Sequence, residues 1–180
     1  MILTIPYQAL QVGNIHLIPF TLDKYGKALA RLSYKDPSID FNDVSILTSP
    51  LKVIDYTPEN SRLRIDLSDQ NNMCAKLNTL QEYLVGTFFV HQQSFLGTRN
   101  ETQDSIRSMF HFLLNDTTLS LYIFPTYMIK KSDGTMCKVS NLKAGDTIRC
   151  VIRFQGISQI YNKNNITLRL QHSIPSIWLL

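Results

Sequence analysis

The sequence predicts a mainly β fold with one long helical insertion, because two periodicities alternate along the chain in a clear order. Several short segments alternate apolar and polar residues, a period typical of strands that bury one face. Between two groups of such segments lies a run with helical spacing, formed by Met73, Leu77, Leu80, Leu84 and Phe88. Asp69 precedes this run as a candidate N-cap. We therefore expect strands, then a helix, then strands again.

The clearest strand pair lies near the carboxyl end. Residues 144–146 (Ala-Gly-Asp) predict a turn, because glycine accepts a positive φ and aspartate caps nearby backbone donors. The run that follows places Ile148, Cys150, Ile152 and Phe154 on one face. Residues 162–165 (Asn-Lys-Asn-Asn) predict a reversal, and a second alternating run ends at His172. This hairpin offers an apolar face to the core and a polar face that carries Arg149, Arg153 and Arg169.

A second hairpin is indicated earlier in the chain. Pro58 occupies the second position of a predicted turn at 57–60. A symmetric reversal about this turn pairs Lys52 with Asp66, Ile54 with Arg64, and Tyr56 with Arg62. The same register places Leu51, Val53, Ile65 and Leu67 on the core face.

The other elements follow in order. Residues 1–25, with two prolines, predict an extended lead-in or edge strand. The segments 36–43 and 125–146 predict loops, and a short second helix is expected over 104–114. The expected strands are 26–35, 44–56, 62–67, 118–124, 147–156 and 166–172, with the helix at 70–91 inside an insertion over 70–115.

This order predicts the architecture more narrowly. Three strands, a helix and a closing set of strands form the order of the OB-fold, a small Greek-key barrel. An immunoglobulin-like sandwich needs no such helix, and a parallel βαβ sheet needs strands and helices that alternate. Because the chain contains no repeat and no linker, we expect a single OB-fold-like domain over residues 1–180.

Charge is distributed unevenly along the chain. The formal net charge is +4, yet residues 126–180 carry eight Lys or Arg against two Asp or Glu, a net of +6. A polyanionic partner is therefore favoured over a small acidic substrate. The three cysteines are widely spaced without a CxxC pair, which favours reduced thiols over a disulfide scaffold or zinc finger. With no signal-peptide pattern and no apolar run of about 18–20 residues, we expect an intracellular protein without a membrane partner.

The residue types needed to bind single strands are present on the predicted polar faces. Phosphates need cations along a groove, and bases stack on aromatic side chains. The candidate binding residues are Tyr56, Arg62, Arg64, Tyr122, Phe124, Lys130, Lys131, Lys138, Arg149, Arg153 and Arg169, flanked by Lys143. For each residue alone, a solvated face or ordinary packing is the competing interpretation. Trp178 is interpreted as a plug over the barrel end.

A resemblance supports this interpretation. The turn at 142–146 (LKAGD), the strand 148–153 (IRCVIR) and Gly156 are similar to the last barrel strand of OB-fold nucleic-acid-binding proteins. Over roughly residues 26–178 the layout resembles the single-stranded-DNA-binding OB proteins of large nucleocytoplasmic DNA viruses, of the African swine fever virus type. The resemblance implies non-catalytic binding of single strands in viral DNA replication or repair, in the host cytoplasm or at a viral replication site. The insertion at 70–115 is longer than a minimal barrel requires.

Two other functions remain open. A protein-interaction or virion-structural module would use the helical insertion, with Phe88, Phe89 or Phe95 exposed. A metal-dependent nuclease would need carboxylate pairs such as Asp66 with Asp69, or Asp133 with Asp146, but a cap and a turn explain Asp69 and Asp146 better. No GxxxxGK[ST], GxGxxG, GxSxG or HExxH motif occurs, so we expect no enzyme and no cofactor. RNA stays an alternative to DNA, and protein partners are not indicated.

Overall fold

One long antiparallel hairpin organises the fold. The computed structural model describes residues 4–22, 24–162 and 165–180. The strands of these residues are β1 (Ile5–Pro6), β2 (Ile15–Leu17), β3 (Thr21–Leu22), β4 (Ala28–Asp36), β5 (Ile39–Phe41), β6 (Val44–Leu47), β7 (Leu51–Thr57), β8 (Arg62–Asp66), β9 (Phe110–His111), β10 (Leu114–Asn115), β11 (Thr118–Tyr122), β12 (Met128–Lys131), β13 (Met136–Lys138), β14 (Thr147–Asn162) and β15 (Asn165–Leu179). The helices are α1 (Asn71–Val90), α2 (Gln92–Leu96) and α3 (Gln103–Met109).

Strand β14 lies at the centre of the sheet. It pairs with β15 along one edge, while its other edge pairs successively with β7, β6 and β4. Two register shifts bend the hairpin, and Gly156 follows the second. A Cβ on Gly156 would lie 2.3 Å from the carbonyl oxygen of Ala30, so glycine permits the close approach of β4.

The rest of the sheet extends from both strands of this hairpin. On one side β7, β8, β11 and β10 follow in antiparallel order. On the other, β15 pairs in parallel with β12 and β9, and β13 completes the β12 hairpin. Because β9 and β10 belong to one short segment, residues 110–115 contact both β15 and β11 and turn the sheet back towards itself.

The core lies between this curved mixed sheet and the helices. Phe88 of α1 is fully buried, and its ring stacks on Phe95 with 4.6 Å between centroids. Phe20 and Phe110 meet Phe88 edge to face at 6.1 and 5.3 Å. The lead-in is attached to α1 through Tyr83, whose hydroxyl donates to the Ile15 carbonyl at 2.7 Å.

The predicted class is confirmed: the protein is mainly β, with a large mixed sheet and a few helices. The helix predicted at 70–91 spans Asn71–Val90, and its predicted apolar stripe is buried. The predicted core faces of β8, β11 and β14 are buried as well. Among the described residues, no helix is long and apolar enough to cross a membrane.

Several element predictions were wrong. The strand at 44–56 is divided into β6 and β7 around Pro50, which cannot donate to a ladder. Residues 39–41 form β5, and the predicted loop at 125–146 contains β12 and β13. Asp69 does not cap α1, because Gln70 is the N-cap residue and makes no side-chain cap bond. Instead Oδ2 of Asp69 lies 3.6 Å from Nζ of Lys52 and forms an ion pair with it.

Other boundaries differ in the insertion, the lead-in and the closing strand. The short helix expected over 104–114 ends at Met109, and α2 was not predicted. The lead-in forms β1, β2 and β3 rather than one edge strand. Strand β15 continues through Pro175 to Leu179. Of the predicted turn at 162–165, Lys163 and Asn164 lie outside the described residues.

The register of the earlier hairpin is confirmed at its open end and wrong near its turn. Lys52 lies opposite Asp66, as predicted. A register shift between Val53 and Asp55 then moves every later partner by one residue, so Asp55 lies opposite Arg64. Tyr56 consequently faces Leu63, and Thr57 faces Arg62.

Candidate functional site

A row of exposed and half-buried side chains crosses four strands around the only tryptophan of the chain. Lys130 on β12 lies opposite Met136 on β13 and opposite Trp178 on β15, while Trp178 in turn lies opposite Arg149 on β14. Direct cross-strand partners share one face of a sheet. We call Met136, Lys130, Trp178 and Arg149 the tryptophan row. Trp178 is therefore the direct strand partner of a cationic residue on each side.

The flanks of the tryptophan row add charge and flexible apolar surface. Lys138 and Met128 are direct partners on the β12–β13 hairpin, on the same face as Lys130 and Met136. All four of these side chains are exposed. Unbranched methionine side chains adapt to irregular surfaces. The hairpin thus continues the row outward as alternating cations and thioethers.

The cations of the row keep their charge available. Among the described residues, Lys130, Lys138 and Arg149 make no ion pair, and Arg149 Nε donates to the Thr48 carbonyl at 3.1 Å. The nearest carboxylates in sequence have other partners. Asp133 accepts from the Thr135 amide and hydroxyl, which lowers the pKa of its carboxyl.

The carboxylate of Asp146 is engaged in a similar way at the turn before β14. Its Oδ2 accepts a bond from the Lys143 amide at 2.8 Å. Asp133 and Asp146 therefore stabilise their own turns, and the tryptophan row remains positive.

A second cluster lies at the end of β11. Tyr122 and Phe124 are 53% and 64% exposed, and their rings meet edge to face with 5.4 Å between centroids. Arg62 is the direct partner of Tyr122 on β8, is exposed, and makes no ion pair among the described residues. We call Arg62, Tyr122 and Phe124 the aromatic pair cluster. It combines a cation with two open aromatic faces.

A tight connection joins the two groups. The Tyr127 amide donates to the Phe124 carbonyl at 2.9 Å, and the Val139 amide donates to the Tyr127 carbonyl at 2.8 Å. Tyr127 itself is half-buried, and burial raises the pKa of its hydroxyl. The aromatic pair cluster and the β12–β13 hairpin are thus the two ends of one short, hydrogen-bonded segment.

The structure does not bring all the predicted site residues together. Arg64 forms a bidentate ion pair with Asp55, whose pKa is lowered by the bond from that guanidinium. Arg153 pairs with Asp43. The Tyr56 hydroxyl donates to a backbone carbonyl at 2.7 Å, which directs this side chain away from a ligand.

Arg169 lies far from the row on the same hairpin. Its partner on β14 is Ser158, nine positions beyond Arg149. At about 3.3 Å per residue this places the two arginines roughly 30 Å apart along the strand. Lys131 is half-buried opposite Leu179. The predicted continuous face of three arginines is therefore wrong, although a contribution of each residue to binding stays a prediction.

Sequence reasoning missed the residue at the centre of the row. Pro175 indicated the end of a strand, so Trp178 was expected to cover a barrel end rather than to lie within β15. No local signal marked Trp178, because Ile177, Leu179 and Leu180 around it are all apolar and show no alternation. Met128 and Met136 were missed because their segment was predicted to be a loop.

The structure also shows the burial and the bonds of the residues that the two alternative functions would use. Phe88 and Phe95 are buried, whereas Phe89 is 38% exposed and the adjacent Val90 is 72% exposed, so of the three phenylalanines predicted for an apolar patch on the insertion Phe89 alone reaches the surface. Asp66 caps the Ser68 amide at 2.9 Å. Within the described part of the chain, no group of three or more His, Cys, Asp or Glu is placed to hold a metal ion.

Comparison with known proteins leaves the function to be inferred from this geometry. No family model matches the chain, and no curated protein or solved structure is significantly similar to it.

Proposed function

We propose that this protein binds single-stranded nucleic acid, with single-stranded DNA as the first expected ligand, and does so without catalysis. The observation that carries the proposal is the placement of Trp178 between Arg149 and Lys130 on neighbouring strands. Strands lie about 4.8 Å apart, so the two cations flank the indole within roughly 10 Å. A base stacked on the indole would have its neighbouring phosphates within reach of both.

The chemistry of the row accounts for binding without base preference. Every base has a π-face, and stacking on an aromatic side chain contributes about 1–3 kcal/mol per base. Lysine and arginine neutralise phosphates and release counterions irrespective of sequence. The Met128 and Met136 side chains beside them carry no hydrogen-bond donor for reading a base edge. The aromatic pair cluster, with Arg62, would hold a further base and phosphate.

An OB-like barrel and a role in viral DNA replication or repair belong to the same proposal. Helix α1 follows β8 as the predicted order requires, and residues 110–115 turn the sheet back on itself. The resemblance of the turn at 142–146 and the strand after it supports the same class. Single strands exposed during replication, in the cytoplasm or at a viral replication site, would be the natural ligand.

A fluorescence-anisotropy titration with labelled oligo-dT at several salt concentrations tests the proposal. Four free cations, Arg62, Lys130, Lys138 and Arg149, predict a log–log salt slope near −3, at about −0.7 per phosphate. Duplex DNA of matched length serves as one competitor and is expected to compete poorly, because the indole needs an unstacked base. Single-stranded RNA of matched length serves as a second competitor and measures the preference between DNA and RNA. Absence of binding at low salt would rule the proposal out, and loss of the labelled strand in divalent metal would indicate a nuclease instead.

The runner-up is a protein-interaction or virion-structural module. The exposed aromatic pair and Met128 with Met136 favour it, because exposed apolar side chains grouped together also suit a protein partner. It predicts that oligo-dT binds only weakly and that moderate salt abolishes the attraction completely. A salt slope near −3 that persists with measurable affinity at about 0.15 M salt excludes it as the main function.

A further inference from the structure

A half-buried histidine, His172, contacts the backbone of the aromatic pair cluster. The Tyr122 amide donates to Nε2 of His172 at 2.9 Å, although β11 and β15 share no ladder pairing. Since Nε2 accepts, the ring proton is on Nδ1, which faces the Leu170 carbonyl at 3.4 Å. Tyr122 is the last residue of β11, and Phe124 follows two positions later. The imidazole therefore holds the end of β11, and the aromatic pair with it, against β15.

This contact depends on a neutral imidazole. Both nitrogens of a protonated histidine are donors, so Nε2 would then oppose the Tyr122 N–H instead of accepting from it. Burial lowers the pKa of His172, in agreement with a neutral ring in the folded protein. Acidification below the ordinary histidine pKa near 6.5 thus works against the contact.

Charged neighbours do not offset this dependence. His111 on β9 and Arg153 on β14 lie on the opposite face of the sheet, since their partners Arg169 and Ser173 alternate with His172. Burial lowers the pKa of His172 and the bond to the Leu170 carbonyl opposes this shift, with no charged side chain among its causes. The hydroxyl of Tyr56 is half-buried and donates to the Ile123 carbonyl. Tyr122 extends its own ring to solvent.

We propose that His172 is a positioning residue that makes single-strand binding at the aromatic pair cluster pH-sensitive, with a neutral ring fixing Tyr122 and Phe124 and a protonated ring releasing them. This inference rests on the proposed function. The direction of the pH effect on affinity distinguishes this proposal from simple charge attraction. A general gain of positive charge on acidification would by itself strengthen attraction to a polyanion. Release of one stacked base instead weakens binding by about tenfold, at the lower end of the range for stacking.

The test compares wild type with His172→Gln and with His111→Gln as a matched control. The introduced glutamine side chain is uncharged and offers a carbonyl acceptor at all pH values, whereas His111 is exposed and binds no partner among the described residues. Because burial lowers the pKa of His172, oligo-dT affinity is measured by anisotropy from about pH 7.5 down to the lowest pH at which circular dichroism still shows folded protein. Wild type and His111→Gln are expected to weaken by about tenfold on acidification, while His172→Gln keeps or gains affinity. An equal loss in all three proteins would overturn the proposal.

A second readout needs no nucleic acid. In the free protein, NMR follows the His172 ring and the hydrogen exchange of the Tyr122 amide through the same titration. We expect Tyr122 exchange to accelerate as the ring protonates, in wild type but not in His172→Gln. The proposed role of His172 is contradicted if the Tyr122 amide stays protected while the ring protonates. It is also contradicted if the His172 ring stays neutral until the protein unfolds. Because this readout is independent of ligand, failure of oligo-dT to bind at any pH would count against the proposed function alone.

Discussion

Arg149 and Trp178 are direct partners across the long β14–β15 hairpin, and the arginine is free of carboxylates among the described residues. Cross-strand pairs are the unit of contact on a sheet face, so this pair presents a cation and an indole together. Guanidinium and aromatic groups in this arrangement suit both phosphate contact and base stacking. The pair is therefore the first place to test the proposed function.

Trp178→Ala is expected to weaken oligo-dT binding by roughly 5- to 150-fold, corresponding to about 1–3 kcal/mol for one stacked base. Trp178→Phe keeps a smaller aromatic face and retains part of the affinity. The measurement is an anisotropy titration at fixed salt, with circular dichroism as a check on folding. Tyr161→Ala is the matched control, because Tyr161 is exposed at the far end of β14. Equal effects of Trp178→Ala and Tyr161→Ala would contradict a specific platform.

Charge reversal distinguishes a cation of the tryptophan row from an exposed cation elsewhere in the chain. Arg149→Glu is expected to reduce affinity and to make the salt slope shallower by about 0.7, the value of one phosphate contact. Arg99→Glu, at an exposed position between α2 and α3, makes the same change of charge away from the row and is expected to leave the slope unaltered. Equal changes in both variants would indicate long-range attraction only.

Arg153→Glu is expected to act on stability rather than on binding. It places two carboxylates side by side at the Arg153–Asp43 ion pair, which is about one-third exposed on both partners. We expect a loss of roughly 1–2 kcal/mol in the free energy of unfolding, between the values for surface and buried pairs. Urea denaturation measures it, and recovery in the double variant Arg153→Glu with Asp43→Arg confirms the pair as the cause. A drop in affinity without a drop in stability would place Arg153 in the interface.

Local periodicity correctly predicted those elements that depend only on residues close together in sequence. The helix spacing identified α1 and its buried stripe, because residues three and four apart share a face irrespective of the rest of the chain. The cationic face depends instead on register. A single shift at Ile54 places Asp55 opposite Arg64, so one of the predicted free cations is engaged in an ion pair. The Arg153–Asp43 pair joins residues that are distant in sequence, which no local pattern records.

The aromatic cluster of the core gives a matched pair of adjacent residues. Phe88→Ala is expected to lower the free energy of unfolding by about 3–5 kcal/mol, because it removes a fully buried ring that contacts Phe95 and Phe110. Phe89→Ala, one position along α1 and 38% exposed, is expected to cost under about 1 kcal/mol. Urea denaturation with fluorescence detection measures both. Similar losses in the two variants would mean that α1 packs on a different face.

Two glycines are expected to respond oppositely to the same substitution. Gly156→Ala brings a Cβ to 2.3 Å from the Ala30 carbonyl oxygen, so β4 must move away from β14. The Ala30 carbonyl belongs to the backbone and cannot move aside through a change of rotamer. We therefore expect a loss of roughly 1–3 kcal/mol or more in the free energy of unfolding. Gly86→Ala, within α1, meets no atom within 4 Å and is expected to stabilise the protein by about 0.5–1 kcal/mol through helix propensity.

The two variants add the same methyl group, one in a strand against a neighbouring backbone and one in a helix with open space around it, and thermal unfolding measures both. A lower Tm for Gly156→Ala together with a higher Tm for Gly86→Ala attributes the effect to the contact between β4 and β14. A neutral Gly156→Ala would mean that β4 lies further from β14 than the pairing of Gly156 with Arg31 requires. Strand β4 anchors the lead-in through β2 and β3, so its displacement would also increase proteolysis within residues 4–22.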